Sequence, residues 1–265
     1  SSRSHKPSYE LIVQGESGLM DVTGFPDGPP VKAGISLADV TAGTLAFEGI
    51  LLALINRERT GKGEHVDISL LDGLVSLFAY QAQIALSSKQ RVTRKGNRHP
   101  TITPYETFTV RDGYINVAVG SEAAWKSFCD AVGRGELSSD RRFRTNADRV
   151  QHRDALERIL VPVMKSRRAA DWLRQLGRAD DPAARINSIP DALRLPALRE
   201  RKMLHQVSHP AGGRITMVGS PIRLAGCPES RISPPPLLGQ HTEKVLAELG
   251  YSRTQIAALS RKEIT

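Results

Sequence analysis

The sequence predicts an α/β chain: strands paired in parallel in the first part, then a smaller α+β domain. Three observations carry this expectation. Residues 31–86 alternate strand-like and helix-like patterns in the order strand, helix, strand, helix, the order that feeds a parallel sheet. Residues 105–119 hold two alternating runs about Arg111-Asp112-Gly113, a hairpin signature. The composition, 40% hydrophobic and 25% charged over 265 residues, suits a globular chain of one large domain or two modest ones.

Tyr9 to Met20 is a short amphipathic stretch, followed by the turn-rich run Gly24-Phe25-Pro26-Asp27-Gly28-Pro29-Pro30. Val31 to Ala38 alternates loosely, as a short strand does. Thr41 to Asn56 repeats apolar residues at Leu45, Ile50, Leu51, Leu54 and Ile55, which predicts a helix that stops before Thr60-Gly61-Lys62-Gly63. Glu64 to Ser69 alternates about Val66 and Ile68, as a half-buried strand does, and Leu70 to Leu86 reads as a second helix. Ser87 to Pro104 is polar and turn-rich, a linker or active-site loop. Beyond the hairpin, Glu122 to Val132, Arg149 to Lys165 and Arg168 to Leu176 read as helices, and Ile189 to Leu195 as a short element. Ile215 to Met217 and Ile222 to Leu224 are short β signals, and Ser233-Pro234-Pro235-Pro236 is a stiff spacer. Thr242 to Leu249 and Thr254 to Leu259 read as closing helices. The boundaries that follow are 1–90 for the first part, 91–104 for the linking loop, 105–195 for the small domain and 196–265 for the C-terminal return.

The net charge of +9 favours anionic partners. The basic residues are dispersed, however, and aromatics make up only 5% of the chain, so a nucleic-acid binder is not expected. The longest apolar run, Gly43 to Ile55, is interrupted by Glu48 and reads as a buried helix, so no membrane span is expected. Ser1 to Lys6 is polar with no apolar stretch behind it, and no secretory leader is read there. The two cysteines, Cys129 and Cys227, are far apart, which suggests buried small side chains in a reducing, cytoplasmic compartment. No zinc-ligand spacing, dinucleotide fingerprint or phosphate loop occurs, and no metal or permanently bound cofactor is expected.

Asp39 is the residue that stands out. It falls between the strand-like Val31–Ala38 and the following helix, the kind of junction where open α/β sheets bind ligands. An Asp there also reads as a helix cap. The helix start favours its anion, and an anionic carboxylate is what covalent catalysis through an acyl anhydride needs.

Ordered motifs along nearly the whole chain then form a pattern. They are Tyr9-Glu10-Leu11-Ile12-Val13-Gln14-Gly15-Glu16-Ser17-Gly18-Leu19-Met20, Pro26-Asp27-Gly28-Pro29-Pro30-Val31-Lys32, Gly34-Ile35-Ser36-Leu37-Ala38-Asp39 and His65-Val66-Asp67-Ile68-Ser69-Leu70-Leu71-Asp72. Gly96-Asn97-Arg98-His99-Pro100, Asp112-Gly113, Gly219-Ser220-Pro221-Ile222-Arg223-Leu224 and Pro234-Pro235-Pro236-Leu237-Leu238-Gly239-Gln240-His241-Thr242 continue it. Together they resemble the class III coenzyme A transferases, the family of formyl-CoA and carnitine CoA-transferases. The resemblance implies a partial Rossmann-like large domain, coenzyme A and acyl-CoA as substrates, a carboxylic acid (dicarboxylic acids such as succinate included) as acceptor, and an interlocked homodimer. It implies that Asp39 attacks the thioester to give an aspartyl anhydride and then an aspartyl-CoA thioester, with N–H donors from the helix start assisting. Glu10 matches a carboxylate near the reacting centre that positions the acceptor or holds a proton. Tyr9 stands where the related racemases place a proton-transferring His, so a transferase is expected over a racemase. Asn97, Arg98 and His99 occupy the loop that covers the intermediate in formyl-CoA transferases, with Arg98 and His99 as candidate partners for a substrate carboxylate. The resemblance covers the later two-thirds of a family chain, which leaves a fragment, a split enzyme or an inactive remnant acting as a binding subunit as the accompanying expectations.

Overall fold

The computed structural model describes residues 8–88, 91–178, 182–227 and 232–261. The leader reading of Ser1–Lys6 falls outside them. The chain divides into two compact units, 1–186 and 187–265.

The first unit opens with two short helices, α1 (Glu10–Glu16) and α2 (Leu19–Val22), joined through Gly18 at φ +91°. An extended loop leads into α3 (Leu37–Thr60), which ends at Gly61 with φ +72° and the Gly61 N–H on the Arg57 carbonyl at 2.8 Å. This is the left-handed stop that the Thr60-Gly61 pair signals. The helices α4 (Leu70–Ser76) and α5 (Ala79–Ser88) follow. They occupy the stretch predicted as one helix and meet at a bend of 80°. The break falls at Ala79, whose φ of +36° no continuous helix accommodates. Val13, Ala38 and Leu74 form a small core there, with Leu19, Leu37, Leu70 and Leu71 packed on it.

Two expectations for this region are corrected. Residues 31–36, which bend at 34–35, and residues 64–69 belong to no ladder, and among the described residues no parallel pairing occurs. An extended segment becomes a strand only when a neighbour accepts its backbone hydrogen bonds. The predicted buried helix is also largely exposed: of the 24 residues of α3 only Ala38 is buried. Its length and mean hydropathy of 1.6 over the most apolar window would suit a membrane span by length and composition, a test that core helices also pass.

The remainder of the first unit is an α+β module. Strands β1 (Tyr105–Val110) and β2 (Gly113–Ala118) form the expected antiparallel hairpin, in register from Tyr105 opposite Ala118 to Val110 opposite Gly113. A third strand, β3 (Ala183–Arg185), pairs antiparallel with β2. Helices α6 (Glu122–Ala131), α8 (Arg153–Lys165) and α9 (Ala169–Arg178) share a core with this sheet, and the short α7 (Asn146–Gln151) packs against α8. The core joins Phe108, Ile115 and Val117 of the sheet to Trp125, Phe128, Leu156, Leu160 and Trp172 of the helices. Cys129 lies in that core, whereas Cys227 is exposed, contrary to the reading of both as buried. The hairpin turn is tied down by Asp112, whose Oδ1 accepts the Ala169 N–H at 2.6 Å.

The second unit holds α10 (Ile189–Leu193), α11 (Pro196–Glu200), the antiparallel pair β4 (Leu204–His209) and β5 (Gly213–Val218), then α12 (Thr242–Glu248) and α13 (Arg253–Arg261). Residues 222–224, predicted as β, carry no ladder.

Candidate active site

The structure brings Glu10 and Asp39 together. Helix α3 begins at Leu37, earlier than the predicted Thr41, so Asp39 is the third helical residue rather than the cap. The cap position falls to Ser36, whose side chain makes no capping bond. The carboxylate of Glu10, reaching from the first turn of α1, does that work instead. Its Oε1 accepts the Ala38 N–H at 3.3 Å and its Oε2 accepts the Asp39 N–H at 3.0 Å. A carboxylate in this place satisfies donors that a helix otherwise leaves open and complements the helix dipole.

Gln14, one turn along α1 from Glu10, locks the arrangement. It is fully buried. Its Nε2 donates to Glu10 Oε1 and, at 3.4 Å, to the Ile35 carbonyl, while its Oε1 accepts the Ala33 N–H at 2.8 Å. Partial burial pushes the Glu10 carboxyl up, but the Gln14 amide and the N–H groups of Asp39, Ala38 and Leu37 outweigh it and hold the group below its ordinary value. Glu10 is therefore a firm anion at neutral pH. Sequence reasoning quoted Gln14 without singling it out. The signal was its spacing of four from Glu10, which places both on one helix face.

The remaining opening donors of α3 are also taken. The Leu37 N–H reaches the Ile35 carbonyl at 2.9 Å and the Val40 N–H the Ser36 carbonyl at 3.0 Å. The expectation that this helix start offers N–H groups to an intermediate is thereby narrowed: those of Leu37, Ala38 and Asp39 are occupied within the chain, and that of Val40 makes the first bond of the helix itself. Asp39 itself is exposed. Tyr9, the residue before α1, is 74% exposed, with its carbonyl accepting the Val13 N–H at 3.0 Å.

The other candidates gather elsewhere. Among the described residues no hydrogen bond or ion pair joins Asn97, Arg98 or His99 to Glu10 or Asp39. Gly96, at φ +61°, lets this loop lie on Phe25, where a Cβ would meet the ring at 2.8 Å. His99 sits between Tyr80 and Tyr105, with ring centroids at 5.7 and 5.1 Å. Its Nδ1 accepts the Thr101 N–H at 3.2 Å, which leaves Nε2 as the protonated nitrogen of a neutral ring. Burial pushes its pKa down and the Arg153 charge adds to that. Arg98 is paired with carboxylates of this chain, hydrogen-bonding Glu157 and standing 3.9 Å from Glu106. Asn97 is exposed at the rim of two cavities, of about 520 and 380 Å³. Asp39 lines neither of them.

The order of motifs and this Glu10–Asp39 arrangement can be set beside known proteins. Residues 1–242 match the model of CoA-transferase family III. The chain belongs to CoA-transferase family III. This bears out the resemblance drawn from the sequence. An acetyl-CoA:oxalate CoA-transferase of Acetobacter aceti is 37% identical over 84% of this chain and 56% of its own length. A succinyl-CoA:glutarate CoA-transferase of Mus musculus is 34% identical over 93% of this chain and 56% of its own. The crystal structure of a CAIB/BAIF family protein from Brucella suis superposes with a TM-score of 0.79 at 36% identity, covering 93% of this chain and 64% of that one. The chain thus spans somewhat more than half the length of the family III relatives it matches.

Proposed function

We propose that this family III chain carries the nucleophile of a CoA transferase, and that Asp39 is that nucleophile. The observation that supports it is the Glu10 cap: an anchored anion from α1 fixes the backbone of Asp39 and leaves its side chain in solvent. In this reading an Asp39 oxygen attacks the carbonyl of an acyl-CoA. The C–S bond breaks, CoA leaves as thiolate, and an anhydride links Asp39 to the acyl group. The thiolate then attacks the aspartyl carbonyl, releasing the donor carboxylate and leaving an aspartyl-CoA thioester. The acceptor carboxylate attacks this thioester, and the freed thiolate takes the acyl group from the second anhydride, which regenerates Asp39. Every step exchanges one activated acyl bond for another, so no single step is steep. Each intermediate is open to hydrolysis, so water must be excluded.

Glu10 acts here as a positioning residue. Both its oxygens are engaged and its pKa is held down, which suits an anchor and not a proton carrier. The occupied N–H groups of α3 require the oxyanion donors to come from other residues. The acceptor is a small carboxylic acid, with dicarboxylic acids favoured because named relatives act on oxalate and glutarate. The working form is a cytoplasmic homodimer with a Rossmann-like large domain. The apolar residues beside Asp39 on α3, Val40 and Phe47 among them, are exposed and mark where further walls of that domain would lie.

The test is chemical trapping. The protein is incubated with succinyl-CoA and hydroxylamine, then digested and examined by mass spectrometry. The expected product is an aspartyl hydroxamate at Asp39 that is absent from Asp39→Asn. A hydroxamate at another carboxylate, or one that persists in Asp39→Asn, sinks the assignment. A folded protein that is never modified supports the inactive remnant.

A further inference from the structure

The α+β module contains a buried carboxylate and a half-buried one that the transfer reading does not use. Glu106 lies on β1, on the inward face with Phe108 and Val110, and is 8% exposed. Glu157 faces it from α8, its side chain 14% exposed. One oxygen of each, Oε1, is buried with no hydrogen-bond partner. The other oxygens point to Arg98, through the Glu157 hydrogen bond and the 3.9 Å approach to Glu106. Arg153 of α8, one turn before Glu157, donates to the His99 and Ile102 carbonyls at 2.7 and 3.2 Å. Asp27 and Lys95 line the same cavity of about 380 Å³, and Val117 lies opposite Glu106 on β2.

Two adjacent ionised carboxylates, each with an unpaired buried oxygen, are costly twice over: by repulsion and by lost hydration. One proton between them removes both costs, because a carboxyl O–H donates to the neighbouring carboxylate. We infer that Glu106 and Glu157 share a single proton and act as positioning residues that fasten the 91–104 segment to the module through Arg98. The arrangement is sensitive to pH. Burial first, and then the Glu157 charge, raise the Glu106 pKa from 4.5 to about 7, against the opposing pull of Arg153 and Arg98. A group whose pKa is raised in the closed state favours that state below its ordinary value, and this preference is lost as pH rises through 7. Opening the segment lifts Lys95, Asn97 and Arg98 off the cavity; this removes the Arg98 pull, which lowers the pKa, but also the burial, which is the larger cause raising it, so opening becomes easier across this interval.

The inference does not rest on the Asp39 chemistry, and its readouts do not require activity. Carboxyl titration of the ¹³C-glutamate-labelled protein should show one carboxyl titrating near 7, absent from Glu106→Gln. Hydrogen exchange should report on the His99 N–H, bonded to the Tyr105 carbonyl at 2.9 Å, and the Gly96 N–H, bonded to the Gly24 carbonyl at 2.9 Å. Their protection, corrected for intrinsic rates, should fall about tenfold between about pH 6 and about pH 8. In Glu106→Gln and Glu157→Gln, where an amide replaces the shared proton, it should be flat. Arg98→Ala should lower protection at pH 6 and abolish its pH dependence. Glutamates that all titrate below about 5.5, or a pH dependence that survives in the Gln variants or in Arg98→Ala, would overturn the inference. If one Gln variant fails to fold, the wild-type titration and the other variant still decide it.

Discussion

Gln14, Glu10 and Asp39 form a chain of support in that order, and its first member is neutral. Gln14 is fully buried and bonds to Glu10, Ile35 and Ala33, so Gln14→Leu leaves the Ala33 N–H and the Ile35 carbonyl unmatched. The expected loss is about 1–3 kcal/mol in urea denaturation. The Glu10 carboxyl should also rise toward its ordinary value, followed by ¹³C titration. The sign with pH follows from the depressed pKa. Glu10 contributes stability above about 4.5, the ordinary value, and that contribution disappears as pH falls through the depressed one. In Gln14→Leu the acid limb of the stability profile should be shallower than in the wild type. A limb of unchanged steepness would mean that Gln14 does not govern the Glu10 charge. Asp39 and Glu10 were legible because ordered motifs flank them. Gln14, Glu106 and Glu157 were not, because their roles depend on partners distant in sequence. Glu106 did leave a trace, as a charge in phase with the inward positions Phe108 and Val110 of an alternating strand.

Arg149 serves elements, not chemistry. It is 1% exposed on α7, stacks over Trp125 at 4.8 Å and pairs with Glu122 of α6 at 2.7 Å. Its Nε donates to the Thr103 carbonyl at 2.7 Å and its Nη1 to the Phe143 carbonyl at 3.1 Å. One guanidinium thus joins α6, α7 and the end of the 91–104 segment. Arg149→Met keeps much of the volume but orphans two carbonyls, and should cost about 3 kcal/mol in chemical denaturation. Arg149→Lys should recover little of it, since an ammonium cannot reproduce the fork. Gly49 on α3 makes a second point at this scale, because a Cβ there would meet Val66 Cγ1 at 2.7 Å. Gly49→Ala should therefore push the 64–69 segment off α3 and cost about 1–3 kcal/mol, read as a lower thermal midpoint. These elements also explain what the sequence revealed. The hairpin, α6, α9 and the Gly61 stop were legible because turn chemistry and helical period are local. The supposed strands at 31–38 and 64–69 failed because a strand is defined by its partner. β3 went unseen because three residues, Ala183–Arg185, carry no period. The bend at Ala79 was hidden because the apolar pattern runs through it.

At the scale of the whole molecule, two opposing terms set behaviour in solution. The chain carries +9, which repels other copies at low ionic strength. Against that, α3 exposes Phe47, Ile50, Leu51, Leu52, Leu54 and Ile55, a contiguous apolar face of the kind that soluble monomers rarely leave uncovered. Charge repulsion is screened over about 10 Å at 0.1 M salt and over about 3 Å at 1 M, while apolar attraction persists. Self-association should therefore rise with salt, as followed by analytical ultracentrifugation at fixed protein concentration. The double variant Leu52→Glu, Ile55→Glu separates the two terms. It lowers the net positive charge, so if repulsion alone governed association the variant would associate more than the wild type. If the α3 face governs it, the variant associates less at every salt concentration and the rise with salt flattens. The second outcome is expected, because two carboxylates pressed into an apolar contact lose hydration worth more than the repulsion removed.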